Sequence, residues 1–96
     1  MNVRFISSNL KEAEEELRRL IADMESGEEL SFKDFHVAMA HIYHHLNSTW
    51  NGRHATDTEW RECTDANYQK WQSFPRDLPF IGDDDFYDLP EYKAKI

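Results

Sequence analysis

The sequence predicts an all-α fold, a small antiparallel three-helix bundle followed by an irregular acidic C-terminal tail. Three observations lead there. Apolar residues recur at the 3.6-residue period through most of residues 10–74. Residues that cap helices stand before three such stretches, at Asn9, Ser31 and Thr56. The chain has 96 residues and a mean hydropathy of −0.83, which is material for one small domain and no membrane span.

Residues 1–9 carry Val3, Phe5 and Ile6 and read as an extended arm or a lead-in packed on the bundle. The first helix is expected over about 10–25. Asn9 with Glu12 resembles a capping box, and Leu10, Ala13, Leu17, Leu20, Ile21 and Met24 form one stripe. The glutamates at 12 and 14–16 suit the helix N-terminal half, and Arg18 and Arg19 follow at pairing distance. Gly27 supplies the stop.

The second helix is expected over about 32–50, capped by Ser31 and closed by Asn51-Gly52. Its apolar stripe is Phe32, Phe35, Met39, Ile42, Tyr43, Leu46 and Trp50. The third is expected over about 57–73. Thr56 with Glu59 makes a full capping box, Trp60, Cys63, Thr64, Asn67, Trp71 and Phe74 share one side, and Pro75 forbids continuation. Residues 1–74 thus form the helical domain. Residues 75–96 hold three prolines and an Asp triplet and form the tail. It reads either as a partly ordered segment laying Phe80, Ile81 and Tyr87 over the bundle or as a disordered interaction segment, with partial packing expected for 75–82 and mobility beyond about residue 88.

Charge excludes several functions. Eleven Lys and Arg oppose nineteen Asp and Glu, for a net −8 concentrated in residues 11–29 and 75–96. Direct nucleic-acid binding and anionic membranes both require clustered cations and are disfavoured. The single Cys63 cannot form an internal disulfide, and no apolar leader is present, which together point to the cytoplasm. Cys63 lies on the expected inner side of the third helix, where a thiol is inert packing. The three glycines are far apart, so no phosphate-cradling loop exists. Asn47-Ser48-Thr49 fits a glycosylation sequon but falls within a helix of a chain without an export signal.

Four of the five histidines, His36, His41, His44 and His45, fall on the second helix. On the expected register they lie on the far or flanking face, away from the apolar stripe. His41 and His45 are one helical turn apart and can present two imidazoles to one divalent transition metal ion, with the remaining ligands from elsewhere. The surrounding His41-Ile42-Tyr43-His44-His45 lacks the glutamate that either metalloprotease motif needs as general base. The acidic run from Asp83 fails as a calcium loop, because its sixth residue is Asp88 and its twelfth Ala94.

A second cluster, Asn47 to His54, joins helices two and three and places Trp50, Asn51 and Arg53 beside His44 and Asn47. Tryptophan and arginine anchor interfaces more often than other residues. The sequence therefore points to a non-catalytic helical protein–protein interaction module, homo-oligomeric or docking on another protein through Trp50, Asn51, Arg53, His44 and Asn47, without a cofactor. Two alternatives are a metal-binding protein using His41 and His45, and an acidic decoy for a basic protein.

Overall fold

The computed structural model describes residues 1–93. It is all-helical: α1 (Val3–Glu25), α2 (Phe32–Asn51), α3 (Asp57–Glu62), α4 (Asp65–Gln72) and α5 (Pro90–Lys93). The long helices α1 and α2 form an antiparallel hairpin, and α4 packs on α2. No helix among the described residues is long and apolar enough to cross a membrane.

The expected N-terminal arm is helix instead. Asn2, not Asn9, is the cap: its side-chain oxygen accepts from the Phe5 N–H at 3.1 Å. Its amide donates to Ala55 O at 2.8 Å, and its backbone N–H donates to Arg53 O at 2.7 Å. A cap tied to the α2–α3 connection makes a helix start where local pattern suggests an extended lead-in. Asn9 is an interior residue whose amide bonds back to Phe5 O. α1 stops before Gly27, which holds φ 78°. α2 keeps its expected cap, with the Ser31 hydroxyl accepting from Asp34 N–H.

The expected third helix is two. Cys63 takes the left-handed conformation at φ 41°, ends α3 and faces solvent rather than the core. Thr64 then caps α4 by accepting from Asn67 N–H. The reason is local: Thr64-Asp65 is a second start signal, and its cap outcompetes continuation of a helix with little apolar surface to bury. The Thr56–Glu59 capping box forms as expected, and its hydrogen bonds hold the Glu59 carboxyl below the ordinary range.

The packing centre is Phe5, which is 2% exposed. Trp60 and Trp71 meet its ring edge-on at centroid distances of 5.4 and 5.1 Å. Beneath it lies Gly52, where an added methyl would fall 2.6 Å from Phe5 Cζ. Ala13, Leu20 and Ile42 continue the buried seam. Trp71 is buried, while Trp50 and Trp60 are half-buried, so only one of the three tryptophans is fully core.

This seam rotates both long helices away from the expected register. α1 meets α2 along Ala38, Ile42, His45 and Gly52, a line in which Ile42 of the expected stripe is buried among small and polar residues. The expected core stripe of α2 sits roughly a quarter-turn round, at about 100° per residue. Phe32, Tyr43 and Leu46 on it are exposed, Phe32 at 79%. The stripe of α1 is split: Ala13 and Leu20 are buried as expected, whereas Leu10, Leu17, Ile21 and Met24 are exposed. In an antiparallel pair the exposed members of both stripes come to the same side of the hairpin. α4 packs on the other side, and Met39 and Tyr43 at the edge of the α2 stripe line a groove with Gln72 and Phe74 at its end. The tail does not lay its apolar residues over the bundle, since Phe80, Ile81 and Tyr87 are all exposed, Ile81 at 90%. Within the segment expected to be mobile, Pro90–Lys93 forms α5; residues 94–96 lie outside the described residues.

The seat of Phe5 generates a stability prediction. Gly52→Ala should cost about 1–3 kcal/mol by overpacking, and Phe5→Ala about 3–5 kcal/mol by leaving a cavity. Combined, they should cost less than their sum, because the added methyl then occupies vacated space. Urea unfolding of the four-member cycle measures this.

Candidate functional site

The two clusters singled out in the sequence come together on α2, on the sides facing α1, α4 and the tail. The first is a set of polar clasps at the C-terminal end of α2. The last carbonyls of any helix lack partners within it. For α4 they are supplied by α2: Asn47 Nδ2 donates to Gln72 O at 2.9 Å, and Asn51 Nδ2 donates to Ser73 O at 2.6 Å and Trp71 O at 3.0 Å, with Lys70 O at 3.2 Å. Asn47 and Asn51 are one turn apart on α2, so a single helix face carries both donors. Asn47 and Ser48 are buried polar residues, and no buried side-chain polar atom among the described residues lacks a partner.

Trp50 and Arg53 clasp the tail. The Trp50 indole N–H donates to Asp77 Oδ1 at 3.1 Å. The Arg53 guanidinium lies 4.0 Å over the Trp50 ring, a cation–π contact, and donates to Trp50 O and to Glu91. His54 Nε2 approaches the same carboxylate oxygen at 3.2 Å. The hydrogen bond from Arg53 is the main reason the Glu91 carboxyl is lowered to about 2. Trp50, Asn51, Arg53 and Asn47 are therefore all engaged within the chain, and His44 packs on Tyr68 of α4 with ring centroids 5.4 Å apart. Their partners Asp77 and Glu91 carried no signal in the sequence. Both lie in a segment whose composition resembles a solvated tail, and only the position of α2 makes them ligands of Trp50 and Arg53.

The second cluster is the histidine group. His41 and His45 do not point away from the molecule. They are half-buried and face α1. The Nε2 atoms of the two rings are 3.1 Å apart. On its other nitrogen, His41 Nδ1 faces Glu16 Oε1 at 3.2 Å, and His45 Nδ1 faces Asn9 Oδ1 at 2.9 Å. The same Glu16 oxygen accepts from Arg19 at 2.7 Å. His44 stands edge-on to His45 at 4.7 Å between centroids. Burial, more than the neighbouring His44 and His41, pushes the His45 pKa down, against the smaller opposing pull of Glu12 and Glu16. His41 also lines an open groove between α1 and α2 with Glu16, Arg19, Asp23 and Asp34. Among the described residues no three His, Cys, Asp or Glu side chains converge on one point.

No protein-family model, curated protein or solved structure matches the chain.

Two predictions concern the clasps. Asn51→Asp keeps the shape but replaces a donor with an acceptor facing carbonyl oxygens, and should cost about 1–3 kcal/mol in urea unfolding. The Glu91 carboxyl is depressed in the folded state. Its contact with Arg53 thus holds the tail fully above the ordinary value of 4.5 and is lost as pH falls through about 2. Carbon-detected NMR titration should find this low midpoint in the native chain and a return towards 4.5 in Arg53→Ala.

Proposed function

We propose that the protein is a helical interaction module, non-catalytic, whose partner is a second copy of itself. The observation that supports this is the bare apolar side of the α1–α2 hairpin. Leu10, Leu17, Ile21 and Met24 of α1 lie on it with Phe35 and Leu46 of α2, and all of these are exposed or only half-buried. A contiguous apolar surface of this kind marks an interaction site.

Three features favour a like partner. The buried apolar core is small, comprising Phe5, Ala13, Leu20, Ile42 and Trp71 among the described residues. Domains of this size rarely gain enough from one core to stand without reinforcement. The hairpin face is about 30 Å long, at 1.5 Å per residue, and two helices wide. That gives on the order of 600 Å² in plan, near the ~800 Å² per partner of a standard interface. Two such faces stacked make a four-helix bundle, the common way for antiparallel hairpins to close. Charge sets the pairing. α1 carries six acids against four bases, with the glutamates at 12 and 14–16 clustered, whereas α2 carries one Lys, one Asp and four histidines. Laying α1 of one copy over α2 of the other keeps the two acidic helices apart.

The clasp residues Asn47, Trp50, Asn51 and Arg53 serve this function indirectly, by fixing α4 and the tail on the opposite side and leaving the hairpin face open. Sedimentation equilibrium tests the proposal. The native chain should have a mass twice 11.5 kDa, and Leu17→Glu with Leu46→Glu should return it to the monomer while keeping its helical circular dichroism. A native chain that stays monomeric at high micromolar concentration would overturn it and leave the face to a different protein.

A further inference from the structure

We propose that His41 and His45 form a chelating site for one divalent transition metal ion, bound through their two Nε2 atoms. Hydrogen bonding carries the inference. Glu16 Oε1 and Asn9 Oδ1 can only accept, and each faces the Nδ1 of one ring. The Asn9 amide is oriented by its own bond to Phe5 O, so its oxygen is the atom at His45. In the neutral form each imidazole therefore carries its proton on Nδ1 and presents a lone pair on Nε2. These lone pairs meet 3.1 Å apart. Two such lone pairs at that distance call for a cation between or beside them, either a proton shared by the rings or a metal ion that displaces it.

The spacing suits a metal ion. With metal–nitrogen bonds of about 2.0–2.1 Å, nitrogens 3.1 Å apart subtend roughly 100° at the ion. That lies between the right angle of a square-planar site and the tetrahedral angle. The outer hydrogen bonds are those that orient metal-binding imidazoles: a carboxylate on one Nδ1 and an amide carbonyl on the other. Imidazole donors select ions of the zinc, nickel and copper type, with copper(II) the tightest. Glu16, Asp23 and Asp34 line the groove leading past His41 and outnumber Arg19 there, which favours approach of a cation. Water would complete the coordination.

The test uses the untagged full chain and copper(II) chloride alone, at pH 7.5 in a non-coordinating buffer. Calorimetry should show one ion per chain, and the electron paramagnetic resonance spectrum should carry splitting from two nitrogens. His41→Gln and His45→Gln should each weaken binding at least tenfold, while His36→Gln and His54→Gln leave it unchanged. Glu16→Gln, which keeps an acceptor but removes its charge, should weaken it several-fold. A measurement on the native chain needs no variant: substoichiometric copper(II) should broaden the ring signals of His41 and His45 before those of His36 and His54. Broadening that begins elsewhere, or glutamine variants that fold and bind as tightly as the native chain, would overturn the proposal.

Discussion

The ring of Phe5 resting on the bare backbone of Gly52 is the contact from which the rest of the architecture follows. Glycine is needed because any side chain there would occupy the ring's position. With the ring in place, the first turn of α1 is fixed against the last turn of α2. Trp60 and Trp71 can then close over it from α3 and α4. Around it run the polar ties that hold the N-terminus: the Asn2 bonds to Arg53 and Ala55, and the Arg4–Asp57 ion pair at 3.2 Å. That ion pair is solvent-exposed and contributes little by itself. It gives direction to a contact made by burial.

Seating Phe5 on Gly52 also decides which side of each long helix faces inward. α2 turns small and polar residues towards α1 and its asparagines towards α4. The buried seam of Phe5, Ala13, Leu20, Ile42 and Trp71 is thus accompanied by buried Asn47 and Ser48, and much of the remaining hydrocarbon lies on the open side. This arrangement links the two functional proposals. The apolar side becomes available for a second copy, and His41 and His45 are brought against Asn9 and Glu16, which fix their tautomers. Had the stripe Phe35–Met39–Leu46 been the core, the imidazoles would have faced water and found no such partners.

Much of this was readable from residue order, because much of it is local. Ser31 and Thr56 capped as expected, and the run from Phe32 to Trp50 is one continuous helix. Periodicity found an apolar stripe on each long helix, of which Ala13, Leu20 and Ile42 are buried as expected, but could not say what the remaining members face. A stripe looks the same whether its partner lies in the same chain or in another. The long-range ties were invisible for a related reason. Asn2 is an ordinary polar residue until Arg53 O is beside it, and Glu91 is one more acid in an acidic tail until Arg53 reaches it. The break at Cys63 was the one local feature that could have been found. Thr64-Asp65 is a cap signal equal in kind to Ser31, masked by the aromatic spacing of Trp60 and Trp71. The partner residues named from composition, Trp50, Asn51, Arg53, His44 and Asn47, do cluster, and their hydrogen bonds and ring contacts turn inward.

Nearly all the ties between distant parts of the chain fall at one end of the hairpin, where Asn2, Gly52, Asn51 and Arg53 lie. At the other end, the turn through Ser26 and Gly27 is held by its own short-range bonds. The two long helices are in effect a pair of beams clamped at one root. Such a structure opens from its tip, so amide exchange should grow steadily faster from Phe5 towards Met24 and from Thr49 back towards Lys33. The tip is also where a fluorophore or an inserted loop would disturb the protein least.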